Sequence, residues 1–240
     1  ISYIVTNAAG CSKTVTYIIN INALPTLSAI AGNPILCVGA VATFSNATSG
    51  GVWSSSNTSV ATINSSGVVT GLSAGSATIS YTVTGSNGCS TSSTKVVNVY
   101  AYPVVDPITG YSSVCSGSSI ALSSSPSGGV WSSNNLGVAT VNSATGVVTG
   151  VSAGSAVISY TVSNIHGCST IVSRTVTVNG RPAVDPIGGN PNICVGNTTT
   201  LTNTTPSGTW SSSNTGVATI SSRGLVTAIS AGTATITYTV

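Results

Sequence analysis

Charge is almost missing from this chain of 240 residues. Charged side chains make up 3% of it, against about a quarter in soluble globular domains. The whole set is Lys13, Lys95, Arg174, Arg181, Arg223, Asp106 and Asp185, and there is no Glu and no Met. Each shortage excludes something. Five scattered basic residues form no patch that could track a phosphate backbone, so nucleic acid is not an expected partner. No run approaches about 18 uninterrupted apolar residues, so no membrane span is expected. Disorder is excluded from the other direction: disordered chains combine low hydrophobicity with high net charge, whereas here the mean hydropathy is +0.45 and the formal net charge is +3. With so few ions, hydroxyls, amides and glycines must wet the surface. Mixed surface charge is a main defence against β-aggregation, so such a surface suits a chain that packs against copies of itself or is coated in sugar.

What is present is repetition, the sequence signature of an array. Trp53, Trp131 and Trp210 stand 78 and 79 residues apart, and Cys37, Cys115 and Cys194 keep the same steps. Cys11, Cys89 and Cys168 form a second register with those steps. Around each Trp the text recurs, beginning GVWSSSNTSVATIN at Gly51, GVWSSNNLGVATVN at Gly129 and GTWSSSNTGVATIS at Gly208. Strand-like alternation and turn residues fill each unit, with no helical period of useful length. In the second unit the pattern predicts strands at 103–108, 118–124, 129–133, 138–141, 147–151, 156–163 and 170–178. A turn falls at the NSATG segment from Asn142 and a hairpin turn at His166–Gly167. Seven short strands per unit predict an all-β fold, tandem immunoglobulin-like sandwiches of about 78 residues. The expected division is the last strands of one repeat at 1–22, whole repeats at 23–100 and 101–179, and a repeat lacking its last strand at 180–240. Because Ile1 and Ile236 fall at the same point of the unit, the chain reads as a window on a longer array. The other reading is that residues 1–22 complete the last repeat of a neighbouring molecule by strand addition.

The stretch VWSSSNTSVATINSSGVVTGLSAGSATISYTV resembles the bacterial immunoglobulin-like group 2 repeats that occur in tandem in adhesins and other surface proteins. The ICVG, VCSG and GCST segments look like the cysteine-bearing repeat arrays of large secreted proteins in Bacteroidetes. The resemblance implies an extracellular or cell-surface location.

Catalysis requires titratable groups brought together, and the repeat keeps them apart. Asp106 and Asp185 hold equivalent positions in successive repeats, so paired carboxylate chemistry is not expected within one chain. His166 is the single histidine, and its equivalents are Ala9 and Asn87, which makes it a turn residue. No repeat offers a His and an acid to activate a serine, and the acids are too few for calcium clamps. No catalytic residue, cofactor or metal is expected. Trp53, Trp131 and Trp210 are expected in the sandwich cores in preference to a sugar-stacking platform. Asn46, Asn57, Asn64, Asn197 and Asn203 begin Asn-x-Ser/Thr triplets, which matter only where the source modifies such sites.

The cysteines carry the most information. Their spacings contain no CxxC, so an oxidised extracellular framework is expected over zinc. In an immunoglobulin-like sandwich Cys37, Cys115 and Cys194 fall in the turn after the first strand, at the pole where the chain leaves. Cys11, Cys89 and Cys168 fall in the last hairpin, at the pole where it enters. Two cysteines of one repeat are then about 25 Å apart, whereas a disulfide needs Cα atoms within about 7 Å. The exit pole of one repeat meets the other pole of the next, which predicts a staple between Cys37 and Cys168. Cys89 then pairs with a preceding copy and Cys115 with a following one. The alternative, if the strand order differs, is bridging within a repeat, Cys37 to Cys89 and Cys115 to Cys168. The expected function is structural: an extracellular fibre, filament or stalk segment whose partner is itself. An adhesin array engaging host or surface glycan ligands through its loops is the other reading.

Overall fold

The computed structural model describes residues 1–240 and consists of strands and turns alone. The longest strands are Gly75–Thr84, Ser90–Tyr100, Gly154–Ser163 and Ser169–Asn179. Two of them read GSATISYTVT and GSAVISYTVS, rich in the β-branched and aromatic residues that fit a pleated surface. Successive side chains of a strand point to opposite faces, so Ala77, Ile79 and Tyr81 turn inward while Ser76, Thr78 and Ser80 turn outward.

Each complete repeat is a two-sheet sandwich. In residues 23–100 one sheet runs in the order Ile35–Cys37, Ser90–Tyr100, Gly75–Thr84, Val52–Ser55, and the other Val41–Thr43, Val68–Gly71, Ala61–Ile63. Residues 101–179 repeat this order, with a fourth short strand, Thr109–Gly110, on the second sheet. The sheets enclose eleven buried residues in the first sandwich, Phe44, Ile79, Val97 and Val99 among them, and twelve in the second, including Leu122, Ile158, Val176 and Val178. No polar or charged residue is buried. On the outer face hydroxyls pair across neighbouring strands at 2.7–2.9 Å, as in Thr82–Ser92, Thr84–Ser90, Ser159–Ser173 and Ser163–Ser169.

The remaining segments are partial versions of the same unit. Residues 1–22 hold the hairpin Ser2–Thr6 with Ser12–Thr16, exposed throughout because no second sheet covers it. In residues 180–240 Thr209–Ser212 pairs with Ile236–Thr239, and Thr198–Thr200, Leu225–Ala228 and Ala218–Ile220 form the second sheet. A cavity of about 750 Å³ opens between them, lined by Leu201, Val226, Ala228 and Ile236. In the complete repeats Val99 and Val178 lie against Gly71 and Gly150, the positions corresponding to Ala228.

Two expectations need correction. The predicted opening strand at 103–108 is not a strand. Pro103 and Pro107 lack the N–H that a ladder requires, so apart from the Asp106 N–H bond to Ser125 O a ladder begins only at Thr109–Gly110. There the chain changes sheets. Thr109–Gly110 pairs antiparallel with Leu122–Ser123, and Ser113–Cys115 pairs parallel with Thr177–Asn179. Gly110 makes the bend at φ +119°, where a Cβ would press on Leu122 and the Ala121 carbonyl. The second correction concerns the tryptophans. Trp131 is a core residue, but Trp53 and Trp210 are half-buried, although all three sit on the outermost strand of their sheets.

Two features of the sandwich were not foreseen. Each Trp leans on a tyrosine, Trp53 on Tyr81 and Trp131 on Tyr160 at 4.5 Å between ring centroids, and Trp210 on Tyr238 at 4.7 Å. Each tyrosine hydroxyl accepts from the glycine two residues before the Trp and donates to a carbonyl just upstream. Tyr160 takes the Gly129 N–H at 2.8 Å and reaches the Pro126 oxygen at 2.7 Å. Tyr81 and Tyr238 do the same with Gly51 and Thr48, and with Gly208 and Thr205. The basic residues on the long strands also have a local task, holding carbonyls where the opening segment leaves the ladder. Lys95 donates to Gly32 O at 2.7 Å and to Ile30 O at 3.3 Å, and Arg174 Nη1 donates to Ile108 O at 2.8 Å.

Candidate functional site: the repeat junction

Two of the six cysteines and the single histidine meet where residues 23–100 join residues 101–179. Cys37 ends the strand Ile35–Cys37, which is zipped in parallel to Asn98–Tyr100. A tight turn follows, in which the Val38 N–H donates to Tyr100 O and the Ala40 N–H to Cys37 O. Cys37 therefore lies beside the segment that leads into the next sandwich.

The other half of the site is the hairpin turn of the second repeat. Asn164 organises it: its Oδ1 accepts the N–H groups of His166 and Cys168, both at 3.0 Å. This local side-chain hydrogen bonding is what asparagine offers a turn. Its Nδ2 then donates to Ala101 O at 3.1 Å, and Thr170 Oγ1 donates to Pro103 O at 2.7 Å. The hairpin is thus tied to the segment that connects the repeats. Asn87 makes the corresponding contact one repeat earlier, from Nδ2 to Ala23 O at 3.2 Å.

Docked this way, the hairpin brings Cys168 to Cys37. The two sulfurs are bonded, with Cα atoms 5.7 Å apart and a sequence separation of 131, and Cys168 is buried. The structure therefore joins Cys37 to Cys168, and not to Cys89 of its own repeat. Cys89 is half-buried, and Cys11, Cys115 and Cys194 are exposed, all four as free thiols. His166 is more than a turn residue: its ring stacks on Tyr100 at 3.4 Å and 14°. The corresponding positions elsewhere are Asn87 and Ala9 for His166, and Asn22 and Asn179 for Tyr100. Comparing the repeats with one another marks this pair as an exception, and that was the available signal.

The next junction is built differently. Arg181 reaches back to the second repeat, where its Nε donates to Ser116 O at 2.9 Å and its guanidinium lies against Gly117. The acids stay apart. The Asp106 N–H donates to Ser125 O at 2.8 Å, while Asp185 receives the Thr204 hydroxyl. No group of three or more His, Cys, Asp or Glu side chains is placed to hold a metal ion. No helix is long and apolar enough to cross a membrane.

The family model of the bacterial Ig-like domain, group 2, matches residues 37–92 and 190–240. Those two segments are group 2 bacterial Ig-like domains. Residues 101–179 carry the same text between them. Ice-binding protein 1 of Shewanella frigidimarina (strain NCIMB 400) is 33% identical over 205 residues, 77% of this chain and 22% of that protein. The chain thus spans about a fifth of the length of this curated relative. Among solved structures, the C-terminal 282-residue fragment of intimin, in complex with the intimin-binding domain of the translocated intimin receptor, is 15% identical. It covers 65% of this chain and 65% of that chain, with a TM-score of 0.37. A Ca2+-stabilised adhesin with which an Antarctic bacterium binds ice is 12% identical over 98% of this chain and 78% of that chain, with a TM-score of 0.39.

Proposed function

We propose that these group 2 Ig-like repeats form a stiff extracellular stalk or fibre segment that holds its repeats in fixed succession and carries no reaction. The observation that supports this most directly is the bond between Cys37 and Cys168 across the junction. Tandem modules joined only by a linker move relative to one another by default. Here a disulfide, a Tyr100–His166 stack and two hydrogen bonds to the connecting segment oppose that motion. A disulfide also belongs to an oxidising compartment, which favours the outside of the cell. The free Cys115 occupies the position in its repeat that Cys37 occupies in the first. It is therefore suited to receive the hairpin of a following copy, and Cys89 to bond a preceding one. A 22% share of a longer relative fits a spacer role within a larger surface protein.

Negative-stain imaging of the oxidised protein tests the reading. The expected result is straight rods with a narrow distribution of angles between the first and second complete repeats, broadening on reduction. Ordered lateral or end-to-end filaments would extend the proposal to self-assembly. Rods equally bent in oxidised and reduced samples would count against stiffness and favour a flexible array that presents loops to a ligand.

A further inference from the structure

We propose that the Cys37–Cys168 bond is a tension bypass, one that takes the cores of both complete sandwiches off the path along which a stretching force runs. The inference deepens the stalk reading and rests on it. In an ordinary tandem array, pulling on the two ends loads every residue in turn, and each domain that yields adds its whole length. Here the force reaches Cys37 near the start of the first sandwich and crosses the sulfurs to Cys168, near the end of the second. Residues 38–167 lie inside the covalent loop. They include every buried residue of the two cores except Ile30 and Leu36 in the first and Val176 and Val178 in the second.

What remains on the path is short. In the first repeat it is the segment up to Ile35–Cys37, which is held by its parallel pairing with Asn98–Tyr100. In the second it is Ser169–Asn179, held along ten antiparallel pairs by Gly154–Ser163 and at its end by Ser113–Cys115. The physical gain is independence from core strength. A repeat of this size buries a small core and is of limited stability, so a stalk that relied on each core would lengthen whenever one opened. With the bypass, a core can open and close without the rod growing by a domain length. The register of the cysteines lets the same device recur. Cys194 lies 26 residues after Cys168 and holds the position of Cys37 in its own repeat. A bond from Cys194 to a later hairpin would leave those 26 residues as the stretch between one bypass and the next.

Single-molecule stretching of the full 240-residue chain, held by handles at its two ends, tests the proposal. The comparison is between oxidised protein, Cys168→Ser, and the unmodified chain after dithiothreitol, which returns the bond to two thiols and closes to its own cyclic disulfide. Non-reducing peptide mapping of the same preparation identifies the bonded pair. The oxidised chain is expected to extend less than the reduced one by about 130 residues, roughly 45 nm at full extension, with Cys168→Ser matching the reduced chain. Equal final lengths for oxidised and reduced protein, or a mapped Cys37–Cys89 peptide, would overturn the bypass. Should Cys168→Ser fail to fold, the reduced unmodified chain still decides the matter. Straight rods in the microscope together with equal lengths under force would sink the bypass and leave the stalk standing; bent rods would remove both.

Discussion

The two complete repeats share a strand order and nearly a text, yet they treat their tryptophans differently. Trp131 is 6% exposed and belongs to its core, whereas Trp53 is half-buried against its own. The cause lies in the turn opposite. Residues 64–67 read NSSG, and residues 142–146 read NSATG, one residue longer. Both turns close on a glycine with positive φ, +79° at Gly67 and +73° at Gly146, a conformation that costs other residues. The longer turn folds further over the neighbouring strand, so that Trp131 N–H donates to Ser143 O at 2.9 Å, a bond Trp53 lacks. Both glycines lie against the equivalent carbonyl, of Leu122 and Phe44, but Gly146 stands closer to the Trp131 ring than Gly67 does to the Trp53 ring. One inserted residue therefore decides whether an indole is a core side chain or a flank, and it also makes the second step of the repeat 79 residues where the first is 78.

The largest effect expected from this difference is at the rings themselves. Trp131→Ala should cost its repeat about 3–5 kcal/mol, the range for buried aromatic truncations, and Trp53→Ala clearly less. Urea denaturation of the two variants, followed by far-ultraviolet circular dichroism, compares them, and equal losses would break the distinction. A second substitution should erase the contrast. Tyr160→Phe strands the Gly129 N–H and the Pro126 carbonyl, and Tyr81→Phe does the same to Gly51 and Thr48. Each should therefore lose about 1–3 kcal/mol, similar in both repeats, by the same measurement. The smallest effect tests the cause directly. Deleting Ala144 should shorten the turn to the length of the first and shift Trp131 emission to the red, with a stability change of about 1 kcal/mol or less. Emission from a chain in which Trp53 and Trp210 are replaced by Phe would report it, and an unchanged spectrum would sink the turn explanation.

Much of the fold was legible because its signals are local. Alternation in ISYTV and the glycine-bearing turns mark strands without knowledge of any partner, and the recurrence of Trp and Cys reveals the unit. The opening segment was misread for an equally local reason. Val104, Val105 and Ile108 look like a strand, but Pro103 and Pro107 deny it a ladder, and the pairing that follows is shared between two sheets. The tyrosine hydroxyls escaped notice because tyrosine in a strand reads as an apolar residue. Its hydrogen bonds reach 30 or more positions back along the chain. At the junction the strand order pointed to a Cys37–Cys168 bond, but not to the aromatic stack beside it. Nothing near His166 in the chain announces Tyr100, which lies 66 positions earlier.

By itself the sequence determined the repeat, its strands, the scarcity of ionisable side chains and the two cysteine registers, since these follow from residue type and short-range spacing. Only the tertiary structure decided which cysteines bond, how deep each tryptophan sits and where the opening segment changes sheets. Those outcomes depend on how one repeat docks on the next and on how a turn lies over a neighbouring strand, distances that no run of a few residues can encode.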